Sequence, residues 1–241
     1  MRSAGFWRRA LRRPSEKGGI FLNNTVRTAE LFTSETGYLT PFFEGYEYPW
    51  HILPEIKGYI QTLLGEGIDG FTEISEGVLV GEGARIHPSA VILPPAIIGK
   101  GCELRPGAYI RGCVITGEGC IIGNSTEVKN SLLSDGVCLP HYNYVGDSVL
   151  GMKVHMGAGA ICSNLKADGG NVVIRGEREY DTGLRKVGGF LGDGADIGCG
   201  SVLNPGTVVG RGTSVYPLTS LRGVYPSNSI VKGTRDVTER D

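Results

Sequence analysis

Residues 74–110, "ISEGVLVGEGARIHPSAVILPPAIIGKGCELRPGAYI", repeat a simple pattern every six positions. Ile74, Val80, Ile86, Ile92, Ile98, Leu104 and Ile110 fall on the period, Thr116 is its one polar lapse, and Ile122 and Val128 resume it. Four positions after each stands a small or β-branched residue: Val78, Ala84, Ala90, Ala96, Cys102, Ala108, Val114, Cys120 and Thr126. The pattern returns at Leu191, Ile197, Leu203, Val209 and Val215, followed by Ala195, Ser201, Thr207, Thr213 and Thr219. An α-helix repeats at 3.6 residues and a flat strand at 2, so neither accounts for a period of six.

A solenoid of three-sided coils does account for it. Each hexad forms one flat side, with its aliphatic residue aimed at the axis and its small residue near the corner. Three hexads close a coil, so residues eighteen apart stack at about the 4.8 Å spacing of neighbouring strands. Glycines such as Gly83, Gly101, Gly119 and Gly194 suit the corners, where a positive φ costs them little. Cys102 and Cys120 occupy the small-residue slot and are expected to be core residues rather than reactive thiols. The predicted fold is all-β, a parallel β-helix, preceded by a short helical and irregular region.

The period fails in two places. Residues 163–190, "SNLKADGGNVVIRGEREYDTGLRKVGGF", are too long for a turn and read as an inserted loop, and residues 129–149 are imperfectly periodic. Around the solenoid, taken as residues 71–232, the expected organisation is a basic tail at 1–19, an aromatic-rich segment at 20–70 and a terminal tail at 233–241. The tail "MRSAGFWRRALRRPSEKGG" carries six basic groups and one acid. Within the aromatic segment, "LPEIKGYIQTLLGEG" has helical spacing at Ile56, Ile60, Leu63 and Leu64 and stops at glycine, while "GYLTPFFEGYEYPW" reads as irregular.

Twenty-four basic against 25 acidic side chains leave no footprint of a nucleic-acid binder. No apolar run reaches the ~18 residues of a membrane span. The six cysteines form no CxxC pair and no secretory leader precedes them, so reduced thiols in a cytoplasm are expected. Thirty-nine glycines without a collagen period must serve turns.

Chemistry-bearing residues gather where the period falters. His141 follows a proline at a break in the repeat, and an imidazole there suits a general base at neutral pH. Glu127 and Lys129, outward positions of "STEVKN", are expected on the coil below; the carboxylate suits fixing the imidazole tautomer and the lysine suits an anion. "GAGA" at 157–160 offers unobstructed backbone N–H groups for an oxyanion.

"RPGAYI", "GNSTEVKNSLL", "HYNYVGDSVLG" and "GAGAICSNL" resemble the C-terminal acetyltransferase domain of the bifunctional enzyme that makes UDP-N-acetylglucosamine, and its stand-alone and archaeal sugar-phosphate relatives. The resemblance covers roughly residues 74–232. It implies a left-handed parallel β-helix, a homotrimer with sites between subunits, and transfer of acetyl from acetyl-CoA to the amine of glucosamine 1-phosphate, with no metal required. By the same resemblance His141 is the base, Lys129 and Tyr144 contact phosphate and sugar, and Asn164 holds the sugar or the acetyl carbonyl. Ala158 offers its N–H to the thioester oxygen, and Lys186 binds phosphate. His155 stands where the bacterial domain has asparagine, Leu165 where it has tyrosine, and Cys199 replaces a serine near the coenzyme.

The family's phosphate-binding arginine sits in an Arg-Pro-Gly motif, here Arg105, yet Arg111 lies eighteen residues before Lys129 and should stack beneath it. Stacking therefore assigns the phosphate to Arg111 beside Lys129, with Arg105 on another face, and the resemblance adds Lys186 to that clamp. Other readings are a non-catalytic trimeric scaffold or regulatory subunit that keeps the sugar-phosphate site, a γ-type carbonic anhydrase, and a uridylyltransferase. The carbonic anhydrase needs three zinc-binding histidines, and His87, His141 and His155 lack a close pair. The uridylyltransferase lacks a Gly-rich phosphate loop in the roughly seventy residues before the solenoid.

Overall fold

The computed structural model describes residues 26–33, 35–234 and 236–240. The basic tail expected at 1–19 lies outside them.

From Val78 to Gly233 the chain winds through three parallel sheets in rotation, interrupted once by the inserted loop. The first face stacks Val78–Gly81, Ala96–Ile98, Val114–Thr116, Ser131–Leu133, Val149–Leu150, Gly189–Leu191, Thr207–Val209 and Val224–Tyr225. The second runs from Arg85–Ile86 to Ser229–Gly233 and includes Cys138–His141, His155–Met156 and Asp196–Ile197. The third runs from Val91–Leu93 to Ser220–Leu221 and includes Tyr109–Arg111, Glu127–Lys129, Tyr144–Gly146 and Ile161–Cys162. This is the parallel β-helix that the period of six predicted, and the left-handed form that the resemblance implied. Register follows the arithmetic: Ile92 pairs Ile110 and Leu104 pairs Ile122, each eighteen residues on. The aliphatic rows meet on the axis, where Ile98, Leu104, Ile110, Ile122 and Val128 are all buried. Cys102 and Cys120 are buried among them, and all six cysteines are free thiols.

The first face is buried on both sides. The residue just before each axial one there, namely Leu79, Ile97, Ile115, Leu132, Val149, Phe190 and Val208, points outward into a second core. Covering it are the helix Ile56–Glu66, the N-terminal aromatics Phe42, Phe43 and Trp50, and Val172, Ile174 and Val187 of the inserted loop. The helix ends as expected at Gly67, whose φ of 77° lets its N–H reach back to the Leu63 carbonyl at 2.8 Å.

Two expectations are corrected, and two segments gain detail. Ile74 is 55% exposed, because Phe71–Ser75 turns back antiparallel on Val78–Gly81 and lies outside the coil. "GYLTPFFEGYEYPW" is not wholly irregular: Thr40–Gly45 is a helix that takes Pro41 in its first turn, where a missing N–H costs nothing. Within the inserted loop, Val173–Arg175 and Glu179–Asp181 form a hairpin that packs on the first face. The terminal tail carries the strand Asp236–Glu239, antiparallel to Ser229–Gly233.

Candidate active site

The imperfect period between 129 and 149 has a simple geometric cause. The buried axial row runs Val128, Leu133, Leu139, Val145, Leu150, Met156 and Cys162, so two coils are one residue short. The shortening falls at the corner between the third and first faces. There Asn130 and Asp147 turn the chain with φ of 44° and 49°, a left-handed conformation that Asn and Asp tolerate better than other side-chain-bearing residues. The tighter corner brings Asp147 inward, and its side chain keeps only 6% exposure.

Asp147 is the hub of a polar cluster. Lys129 Nζ lies 3.1 Å from its Oδ2, Asn130 Nδ2 donates to its Oδ1 at 2.8 Å, and Asn164 Nδ2 donates to its Oδ2. The Tyr144 hydroxyl and Asn164 Nδ2 converge over Gly146: a Cβ on that glycine would stand 2.5 Å from the one and 2.8 Å from the other. Burial raises the Tyr144 phenol above its ordinary range, and the charges of Glu127 and Asp147 raise it further, against Arg111 and the Asn164 amide. Tyr144 therefore stays a neutral hydroxyl donor at neutral pH.

Pairing of Val128 with Ile110 sets Lys129 directly over Arg111, as the eighteen-residue spacing predicted. Arg105 is on the second face, with its Nε 3.0 Å from Glu103. Lys186 returns to this corner through an isolated bridge with Leu165, while Val187 N–H reaches the Asn164 carbonyl at 2.9 Å.

His141, Ala158 and Cys199 form a separate column at the other end of the third face, its corner with the second. The register of Cys138 with His155 and of His155 with Asp196, carried three residues along, places them one above another. Gly159 N–H donates to the His141 carbonyl at 3.0 Å and Gly200 N–H to the Ala158 carbonyl at 2.9 Å, which fixes the stack. The Ala158 N–H has no acceptor among the described residues, and Cys199 above it is exposed.

The residues expected in one site thus fall into two groups, at opposite ends of the third face's strands. Glu127 does not orient His141: it accepts from Arg111 Nη1 at 2.5 Å. Asn164 sits with the sugar and phosphate candidates, away from the base. His155 belongs to neither group, since its Nδ1 lies 2.8 Å from Asp196 Oδ1 on the second face. Asp147 and Asn130 were missed, although a hexad one residue short marks both in the sequence.

A family model described as bacterial transferase hexapeptide (six repeats) matches residues 77–112, inside the coil. The chain belongs to the hexapeptide-repeat proteins. This hexapeptide-repeat chain is 30% identical over 209 residues to the Bifunctional protein GlmU of Methanococcus maripaludis, a match covering 84% of this chain and 50% of the relative. It is 32% identical over 213 residues to the bifunctional sugar-1-phosphate nucleotidylyltransferase/acetyltransferase of Sulfurisphaera tokodaii, covering 84% and 52%. It thus spans about half the length of the curated relatives it matches. Among solved structures, a mutant of AntD, an N-acyltransferase from Bacillus cereus in complex with dTDP and coenzyme A, is 16% identical with a TM-score of 0.41, covering 72% of this chain and 92% of that one. The strand ladders carry the fold assignment by themselves. No helix among the described residues is long and apolar enough to cross a membrane.

Proposed function

We propose that this chain is a sugar-1-phosphate N-acetyltransferase, moving acetyl from acetyl-CoA to the amine of glucosamine 1-phosphate or a related hexosamine 1-phosphate. One observation carries this reading. The face that holds Arg111, Lys129, Tyr144, Asp147 and Asn164 at one end has the column of His141, Ala158 and Cys199 at the other. The first group suits a hydroxylated, anionic substrate. Lys129, Asn164 and Tyr144 present donors to hydroxyls, and Arg111, Lys129 and Lys186 outnumber Glu127 and Asp147 by one charge.

The second group suits acyl transfer. His141 takes a proton from the attacking amine as the C–N bond forms, and the unpaired Ala158 N–H faces the oxygen of the tetrahedral intermediate. Collapse breaks the C–S bond, and the coenzyme thiolate takes the proton back from the imidazolium. The thioester carbon supplies the electrophile, so no metal is needed in this sequence of steps.

Two groups at opposite ends of one face also suit a C3 homotrimer, in which the histidine corner of one subunit meets the lysine end of its neighbour. Light scattering should then give about three times 25.7 kDa. A monomer with full activity would rule out a site shared between subunits.

The phosphate assignment gives a second expected result. Arg111→Ala should raise KM for the sugar phosphate about tenfold, roughly 1.4 kcal/mol, while Arg105→Ala changes it much less. The reverse order would place the phosphate on the second face and contradict the stacking.

A scaffold or regulatory subunit is the second reading. It is favoured by the pairing of Arg111 with Glu127 and Lys129 with Asp147, which neutralises both cations before any ligand arrives. Mass spectrometry of the sugar after incubation with acetyl-CoA separates the two. The transferase reading expects the N-acetylated hexosamine phosphate; unmodified sugar from a fully assembled protein would favour the scaffold.

A further inference from the structure

A second set of cations gathers higher on the same corner. Lys166 from the start of the inserted loop, Arg175 from its hairpin and Arg222 from the coil line one pocket, together with Gly206 and Gly223. Both glycines have positive φ, 77° and 90°, and a Cβ on Gly206 would stand 2.7 Å from Val172 Cγ1 of the inserted loop. A Cβ on Gly223 would stand 3.0 Å from the Arg175 carbonyl, so the hairpin lies close over the coil there.

Donors remain free in this pocket. Lys166 gives two of its three N–H bonds away, to Asp168 at 3.2 Å and to the Asn171 carbonyl at 3.1 Å. Arg175 uses its Nε on Glu179 at 2.9 Å, which leaves its terminal amino groups unengaged by that pair. Arg222 has no acidic partner among the described residues, since none of their ion pairs includes it. Asp168 and Glu179 are exposed, so they hold two of the arms from the solvent side without occupying the space between them.

We infer that this pocket is a phosphate subsite that takes the diphosphate of a ligand whose other end reaches the site described above. That the pocket binds a phosphate stands alone; its assignment to a ligand of the reaction rests on the proposed function.

Reach decides which phosphate it takes. The registers step from Arg111 to Lys129, Gly146, Ser163, Asn204 and Arg222. Five strand spacings put Arg222 roughly 24 Å from Arg111. One monophosphate on a hexose cannot contact both, so the upper pocket serves a different phosphate from the one assigned to Arg111 and Lys129. A diphosphate carried on a long arm fits, and it has two sources: coenzyme A, or a nucleoside diphosphate.

Calorimetry on the full chain tests this with inorganic pyrophosphate, coenzyme A and UDP as separate probes, against wild type, Arg222→Ala and Arg222→Lys. Pyrophosphate should bind wild type, weaken at least tenfold in Arg222→Ala and recover in part in Arg222→Lys. The same loss for coenzyme A makes the co-substrate the source, whereas the same loss for UDP alone keeps the pocket but overturns the hexosamine 1-phosphate of the proposed function in favour of a nucleoside-diphosphate sugar. Arg222 is exposed, so an unchanged melting temperature should accompany the loss. No pyrophosphate binding to wild type, or equal binding to wild type and Arg222→Ala, would overturn the subsite. A loss for pyrophosphate with none for either larger probe would overturn the link to the reaction. Binding is read without turnover, so a chain that holds pyrophosphate but transfers no acetyl keeps the pocket and loses the proposed function.

Discussion

Replacing His141 by alanine should lower kcat by roughly 100-fold or more while leaving the fold and assembly intact. General-base catalysis is typically worth about 10²–10⁴ in rate, and an amine that cannot shed a proton as the C–N bond forms gives a cationic adduct that reverts by expelling the amine rather than the thiolate. The imidazole is exposed at a corner and contributes little to either core, whereas the backbone at this position is what bonds to Gly159. Alanine keeps that backbone bond, so the melting temperature should stay within the small range of an ordinary surface substitution. Unchanged turnover would move the base elsewhere, and His155 would then be the histidine to test. A large fall in melting temperature would mean instead that His141 acts through structure.

Asp147→Ala should weaken both stability and substrate binding. It leaves Lys129, 22% exposed at the side chain, without its counter-ion, and leaves the amides of Asn130 and Asn164 without their acceptor. Removing one partner of a buried pair costs about 3–5 kcal/mol, and the partial exposure of Lys129 puts this site near the low end. For a chain of this size that corresponds to a fall of about 6–12 °C in melting temperature. Because Lys129 and Asn164 both lose their anchor, KM for the sugar phosphate should rise as well. Asp147→Asn, which keeps an acceptor but not the charge, should recover part of the stability. A normal melting curve with a normal KM would show that Asp147 does not organise the cluster.

The coil was legible in the sequence because its physical rule is simple. One aliphatic per hexad must reach the axis, and Val80 through Val128 announce that rule with a single lapse at Thr116. Ile74 kept the rhythm without obeying the rule, since periodicity alone does not say where the first coil begins. The covered first face was legible in principle and was overlooked. Ile97, Ile115, Leu132, Val149, Phe190 and Val208 each stand one residue before an axial position, once per coil, and such a row of outward apolar residues needs a partner. What covers it could not be read locally, because the helix Ile56–Glu66 and the hairpin of the inserted loop reach it from distant parts of the chain.

The candidate site divides in the same way. Arg111 beneath Lys129 followed from counting to eighteen, and the structure keeps that order. The partner of Glu127 did not follow, because a carboxylate between an arginine on its own face and a histidine around the corner goes to the nearer charge. Asp147 was hidden by the short coils that make it important. Once a hexad loses a residue the frame shifts, and a side chain that counting would send to solvent turns inward at the corner.

The most direct test of the account is release of free coenzyme thiol from acetyl-CoA in the presence of a panel of hexosamine 1-phosphates, with N-acetylglucosamine 1-phosphate as the amine-blocked control. The account expects thiol release with at least one free-amine sugar phosphate, none with the blocked control, and near-complete loss of release in His141→Ala. Thiol release that ignores the sugar amine, or none with any free-amine hexosamine 1-phosphate, would contradict it.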